Sequence, residues 1–124
     1  MHYLKPHEIK YLQIDHNSTC NLRCPQCART VDGQTMPGLA MQELDVHHYK
    51  EFILGAPNLN FVMWCGNYGE VIVSPTFINC LQYVVENTTA KLVIATNSSA
   101  RDENWWKELG LLLKGRGKVN FSID

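Results

Sequence analysis

Short apolar runs alternate with amphipathic stretches along this chain, and their different periodicities predict strands and helices in turn. Four strand-like runs are present, over residues 11–16, 60–65, 91–95 and 118–124. In the first run, Leu12 and Ile14 share one face. The second run, Asn-Phe-Val-Met-Trp-Cys, is almost continuously apolar, which is typical of a strand buried on both faces.

Three amphipathic stretches between these runs predict helices. Asp45 is placed to cap a helix over residues 46–54. Ser74 is followed by a proline, and this pair predicts the start of a second helix, because proline is tolerated at the first helical position. A third helix is expected over residues 102–109, with Gly110 near its end.

The order β-α-β-α-β-α-β predicts an α/β fold with four parallel strands, three helices and right-handed crossovers. The polar and glycine-rich segments all follow the carboxyl ends of strands. They are the cysteine-containing stretch 20–27, the turn 66–70, the pair Thr96-Asn97, and Ser122 with Asp124. Parallel α/β folds build their sites at this edge, so a single composite site is expected.

Composition and charge favour a single globular domain. The chain has 124 residues, of which 45% are hydrophobic and 19% charged, and its formal net charge is -1. This balance gives no electrostatic argument for a nucleic-acid partner. No apolar run approaches the roughly 20 residues of a membrane span. Residues 1–10 lack the features of a secretory signal, so we expect a cytoplasmic protein.

Three of the five cysteines are spaced C-x3-C-x2-C, at Cys20, Cys24 and Cys27. An odd cysteine count without a secretory signal argues against a disulfide framework. Thiolates on one short loop can converge on a metal, and soft thiolates select zinc or an iron–sulfur cluster. Two alternatives follow: a zinc site with His16 as the fourth ligand, or a three-cysteine cluster with one iron left open.

The spacing Cys20-x3-Cys24-x2-Cys27 after a first strand resembles the radical S-adenosylmethionine (SAM) enzymes. In that family, three cysteines hold three irons of a 4Fe–4S cluster and SAM binds the fourth. The resemblance implies that these cysteines are metal ligands and that SAM is reductively cleaved to methionine and a 5′-deoxyadenosyl radical, which abstracts a substrate hydrogen. It also implies a reductant such as flavodoxin or ferredoxin.

Later stretches are similar to segments that approach SAM in that family. Gly69-Glu70 resembles part of its Gly-Gly-Glu-Pro segment, whose acid meets the SAM amino group. Gln26 stands where that family usually has an aromatic or large apolar residue, and Tyr68 replaces the first glycine. The residues that the resemblance implies for cofactor binding are Gln26, Tyr68, Gly69, Glu70, Thr96, Asn97 and Ser122.

By this resemblance, residues 1–124 form the N-terminal part of a radical SAM core, a partial TIM-barrel-like (β/α) barrel. A complete (β/α)8 barrel takes about 250 residues, so we expect the core to be incomplete. The substrate stays open among peptides, nucleosides and small molecules. The alternatives are a non-catalytic Cys3His zinc module or an inactive truncated product. Outside a zinc site, His16 is expected to face solvent.

Overall fold

A four-stranded parallel sheet forms the centre of the computed structural model, which describes residues 3–122. The strands within these residues are β1 (Tyr11–Ile14), β2 (Thr30–Val31), β3 (Gln34–Thr35), β4 (Phe61–Trp64), β5 (Lys91–Thr96) and β6 (Gly117–Phe121). The main sheet has the order β1-β4-β5-β6, and each neighbouring pair is parallel. The four predicted strands and their parallel pairing are therefore confirmed, although Ile123 and Asp124 of the fourth lie outside the described residues.

Three α-helices connect these strands: α1 (Val46–Leu54), α2 (Phe77–Asn87) and α3 (Glu103–Leu113). Apolar side chains of the helices pack against alternate strand residues, such as Val62 and Trp64, in one hydrophobic core. The predicted bounds of α1 are confirmed, with the Asp45 carboxylate accepting a hydrogen bond from the His48 N–H. None of the helices within residues 3–122 is long and apolar enough to cross a bilayer.

The predicted start of α2 was wrong. Residues Val71–Val73 form a 3-10 helix, and α2 begins only at Phe77. The Ser74 hydroxyl does accept a hydrogen bond from the Thr76 N–H, as a cap would, but Pro75 and Thr76 form a turn and the residue that precedes α2 is Thr76.

The predicted end of α3 was also wrong. The helix continues through Gly110 to Leu113 and begins after Asp102, whose carboxylate accepts a hydrogen bond from the Trp105 N–H. Leu109 and Leu113 lie on either side of Gly110 and are both buried. Their packing favours another helical turn despite the helix penalty of glycine, about 1 kcal/mol.

A small antiparallel hairpin, β2–β3, was not predicted as strand. Its two turn residues, Asp32 and Gly33, have positive φ angles of 50° and 74°. An Asp-Gly pair favours this backbone in two-residue hairpins, so the local signal was present in the sequence. The hairpin begins at Thr30, three residues after Cys27, and the Thr30 N–H donates to the Cys27 carbonyl at 2.9 Å, which limits where the cysteine-containing segment can lie.

Candidate functional site at the carboxyl edge of the sheet

Three connections meet at the carboxyl edge of the parallel sheet. We name them the cysteine loop (residues 17–28, after β1), the glycine loop (residues 65–70, after β4) and the β5 loop (residues 97–101). Each follows a different strand of one parallel sheet, and the three are joined by direct hydrogen bonds. The expected composite arrangement of these segments is therefore present in the structure.

The glycine loop lies directly against the backbone of the cysteine loop. A Cβ placed on Gly69 would lie only 1.8 Å from the carbonyl oxygen of Asn17, so this approach requires glycine. The Glu70 N–H donates to the Thr19 carbonyl at 2.7 Å. In return, the Asn17 side-chain amide donates to the Glu70 carbonyl at 3.0 Å. These contacts fix the base of the cysteine loop against the end of β4.

The Glu70 carboxylate joins the glycine loop to the end of β5. Its Oε1 accepts from the Thr96 hydroxyl and from the Ile72 N–H at 3.3 Å. Its Oε2 accepts from the Asn97 N–H at 2.8 Å. Glu70 is buried, and it caps the 3-10 helix that follows it. The structure thus assigns Glu70 a bridging role within the protein, and its contact with a SAM amino group stays a prediction.

The Asn97 side chain joins the β5 loop to the cysteine loop. Its Nδ2 donates to Oδ1 of Asn21 at 3.2 Å and approaches Sγ of Cys20 at 3.9 Å. Its Oδ1 accepts from both the backbone N–H and the hydroxyl of Ser99, at 2.9 and 2.8 Å. Glu70, Thr96, Asn97 and Cys20 therefore belong to one continuous set of contacts.

The three cysteines of the motif are free thiols on one solvent-accessible loop. Cys24 is exposed, and Cys20 and Cys27 are half-buried. The Cys27 N–H donates to the Cys24 carbonyl at 3.1 Å, which forms a turn between them. Within residues 3–122, no group of three or more His, Cys, Asp or Glu side chains is arranged to hold a metal ion. The donor chemistry of three accessible thiols nevertheless fits a soft metal centre.

The remaining predicted cofactor residues are accessible but not joined to this set through their side chains. Gln26 is exposed on the cysteine loop. Tyr68 is 39% exposed and lines a cleft of about 700 Å3. Ser122 is exposed, and its backbone N–H donates to the Thr96 carbonyl at 2.8 Å, which places it beside the end of β5. Their contacts with SAM stay predictions.

The expectation that His16 faces solvent was wrong, because His16 is only 2% exposed. Its Nδ1 lies 2.8 Å from the Tyr49 hydroxyl, and its Nε2 lies 2.9 Å from the Ser74 hydroxyl. Burial lowers the pKa of His16 to about 4, although the nearby Glu43 carboxylate opposes this shift. Both ring nitrogens are engaged inside the core, which argues against His16 as the fourth ligand of a Cys3His zinc site.

Arg29 is a site residue whose role could not be assigned from the sequence. It is buried, and its Nε donates to the Ser18 carbonyl at 3.2 Å, while Nη1 donates to the Thr35 hydroxyl at 3.3 Å. It therefore ties the β2–β3 hairpin to the base of the cysteine loop. An arginine among polar residues carries no periodic signal, so its burial was not predictable.

Residues 40–44 hold the other side of the cysteine-loop base. The Ser18 N–H donates to the Gln42 carbonyl at 2.9 Å, and the Leu44 N–H donates to the His16 carbonyl at 2.8 Å. Glu43 accepts a hydrogen bond from the Ser74 hydroxyl. The base of the loop is thus enclosed by residues 40–44 on one side and the glycine loop on the other.

Comparisons with known proteins give one curated relative and no matching family model. The relative is a tungsten-containing aldehyde ferredoxin oxidoreductase cofactor-modifying protein from Pyrococcus furiosus, 32% identical over 120 residues. The match covers 94% of this chain and 31% of that protein. The chain therefore spans less than a third of the length of this relative.

Two crystal structures of BtrN share the fold. BtrN in complex with AdoMet and 2-DOIA gives a TM-score of 0.67 at 22% identity, covering 90% of this chain and 44% of that chain. Selenomethionine BtrN in an open conformation gives a TM-score of 0.63 at 18% identity, covering 96% of this chain and 57% of that chain. The four parallel strands and three helices thus share the α/β fold of part of the BtrN chain, and the expected α/β fold class is confirmed.

Proposed function

We propose that this chain is the cluster-binding and SAM-binding part of a radical SAM enzyme. In this proposal Cys20, Cys24 and Cys27 ligate a 4Fe–4S cluster, and the neighbouring strand ends bind SAM. The carrying observation is that the cysteine, glycine and β5 loops are in direct hydrogen-bonded contact at one edge of a parallel sheet. A metal ligand on the first loop is then within reach of a cofactor held by the other two.

The comparisons support this proposal from two directions. The curated relative is described as a cofactor-modifying protein, which is compatible with an enzyme. One of the similar solved structures contains AdoMet. The C-x3-C-x2-C spacing of Cys20, Cys24 and Cys27 supports these residues as the cluster ligands. The substrate, the protein reductant and the reaction outcome are parts of the proposal that depend on the longer proteins this chain resembles.

In this proposal the thiolates bind the cluster and the polar strand ends bind SAM. Three thiolates provide soft ligands on an accessible loop, and the polar strand ends surround them. When bound, a cluster of this type supplies the electron that cleaves SAM to methionine and a 5′-deoxyadenosyl radical. Among the described residues 3–122, Oε2 of Glu70 accepts one hydrogen bond, from the Asn97 N–H, and therefore retains capacity for a donor such as an ammonium group.

The chain has five cysteines, and an odd number argues against a disulfide framework and favours a reducing compartment. We therefore include a cytoplasmic location in the proposal. Free thiols are also the form in which cysteine becomes available to iron, because the thiolate is the metal ligand.

Anaerobic reconstitution with iron and sulfide tests the proposal directly. The wild-type chain should become brown and bind about four irons, the stoichiometry of a 4Fe–4S cluster. Cys24→Ser should lose most of this iron and sulfide. Cys65→Ser is the matched control, since Cys65 lies on the glycine loop outside the motif, and it should reconstitute like the wild type. Tight binding of one zinc without sulfide would refute the proposal.

A second measurement tests the SAM part of the proposal separately. The reconstituted chain, reduced with dithionite, should convert SAM to methionine and 5′-deoxyadenosine, and both products can be quantified by chromatography. A chain that holds the cluster but neither binds nor cleaves SAM would leave cluster binding intact and contradict the SAM-binding role.

A further inference from the structure

We infer that the Asn97 side chain is a positioning residue for Cys20, which holds the sulfur through an N–H···S contact, and is not itself a SAM contact. This inference rests on the proposed function only in that the sulfur is taken as a cluster ligand. The observation behind it is the 3.9 Å approach of Asn97 Nδ2 to Cys20 Sγ. Three further features of the structure fix this approach.

The first feature is the orientation of the Asn97 amide. Its Oδ1 accepts from the backbone N–H of Ser99 at 2.9 Å. A backbone N–H can only donate, so the atom facing it must be the oxygen and the opposite atom must be the NH2 group. The donor end of the amide is therefore the end that faces Cys20. The same NH2 group also donates to Oδ1 of Asn21, so both halves of the side chain are engaged within the protein.

The second feature is the backbone around Asn97. The Asn97 N–H donates to Oε2 of the buried Glu70 carboxylate at 2.8 Å. Ser98 has a positive φ of 58°, and its N–H donates a hydrogen bond to the Thr96 hydroxyl at 3.1 Å. This tight turn directs the Asn97 side chain toward the cysteine loop. Glu70 thus acts on Cys20 through Asn97.

The third feature is the difference among the three thiols. Sγ of Cys20 accepts from the Leu22 N–H at 3.4 Å in addition to its contact with Asn97. Among residues 3–122, the hydrogen bonds of the structure include no such donor to the sulfur of Cys24 or Cys27. N–H donors to a ligating sulfur stabilise the more negative, reduced form of an iron–sulfur cluster and so raise its reduction potential. Cys20 is thereby distinguished as the ligand that tunes the potential.

The midpoint potential of the reconstituted chain tests this inference. Asn97→Ala removes the donor, so the midpoint potential of its cluster should be more negative than that of the wild type. The EPR signal of the reduced cluster measures this potential. Asn97→Gln retains an amide donor and should restore part of the shift. Asn58→Ala is the matched control, because the Asn58 amide donates to the His7 carbonyl and Asn58 lies before β4, outside the three loops. Its potential should equal that of the wild type.

The possible results separate this inference from the proposed function. If the wild-type chain holds no cluster, the proposed function fails. If Asn97→Ala holds a cluster with an unchanged potential, the inference is wrong and the proposed function stands; weaker SAM binding in that variant would then make Asn97 a SAM contact. Should Asn97→Ala not load iron, Asn97→Asp, which keeps the acceptor oxygen and lacks the donor, replaces it. An unchanged potential in that variant would equally overturn the inference.

Discussion

His16 shows, at the scale of single residues, how a polar side chain is accommodated inside the apolar core. The Trp64 Nε1–H donates to the Tyr49 hydroxyl oxygen at 2.9 Å, which leaves the Tyr49 O–H to donate to Nδ1 of His16. Nε2–H of a neutral His16 can then donate to Ser74, and Ser74 to the Glu43 carboxylate. Each proton has an acceptor in this arrangement, so the network is satisfied only with a neutral imidazole.

Acidification should therefore destabilise the folded chain through His16. Its pKa is about 4 in the folded state against 6.5 when unfolded, because burial disfavours the charged ring. The stabilising effect is complete above pH 6.5 and is lost as the pH falls toward 4. The expected loss in the free energy of unfolding is about 3 kcal/mol. Urea unfolding at a series of pH values measures it.

Substitution separates His16 from the other titrating groups. His16→Gln should remove most of this pH dependence, whereas His47→Gln should keep it, because His47 is exposed on α1. An unchanged pH profile in His16→Gln would show that other groups cause the acid destabilisation.

At the scale of elements, the connections at the carboxyl edge are held to one another by hydrogen bonds and by close backbone contact. The glycine loop touches the cysteine loop through backbone atoms, with Gly69 against Asn17 and Glu70 bonded to Thr19. Such contact depends on the absence of a side chain at position 69. Gly110 in α3 differs from Gly69 in this respect, since a Cβ added to Gly110 would meet nothing within 4 Å.

Two glycine-to-alanine substitutions should therefore change stability in opposite directions. Gly69→Ala should lower the free energy of unfolding by about 1–3 kcal/mol or more, because its Cβ collides with the Asn17 carbonyl. Gly110→Ala should raise it by up to about 1 kcal/mol, through better helix propensity at an open position. Urea denaturation of both variants measures the difference. A neutral Gly69→Ala would show that the two loops are not in contact.

The sequence predicted the elements whose signals are local. The Asp45 cap and the stripe after it determine α1, and the order of strands and helices determines the parallel sheet. It did not predict that His16 is buried, because the residues that cover it, such as Tyr49 and Ser74, are far away along the chain. Because parallel α/β folds build their sites at the carboxyl ends of strands, the sequence predicted that the three loops lie together. It did not predict the individual hydrogen bonds of Glu70, which join residues far apart in the chain and have no local signature.

The sheet of the whole molecule has one face covered by helices and one face only partly covered. Strand residues that point away from the helices include Tyr11, which is 49% exposed and stacks on Phe61 with ring centroids 4.9 Å apart. Within residues 3–122, β1 and β6 each pair with a single neighbouring strand. Unpaired strand edges beside exposed aromatic side chains favour association with another chain.

The 124-residue chain should accordingly self-associate as its concentration rises. Tyr11→Lys places a charge on the β1 edge and should shift association to higher concentration, at a cost of roughly 0.5–1.5 kcal/mol in stability from the lost aromatic pair. Sedimentation velocity over a concentration series measures the association. Leu54→Lys is the control, because Leu54 is 80% exposed at the end of α1, and it should associate like the wild type. Equal association of all three proteins would exclude the β1 edge as the contact.

The hydrogen bonds that join the glycine loop to its two neighbours also affect the thermodynamics of binding. The Glu70 N–H donates to the Thr19 carbonyl and the Asn97 N–H donates to the Glu70 carboxylate, so both hydrogen bonds are made within the protein itself. Fixing the backbone of one residue costs about 1–2 kcal/mol in conformational entropy. For these residues that loss belongs to folding and is not subtracted from the free energy of association. A ligand at this edge therefore meets loops whose entropy has already been lost, and binding it should order little further backbone.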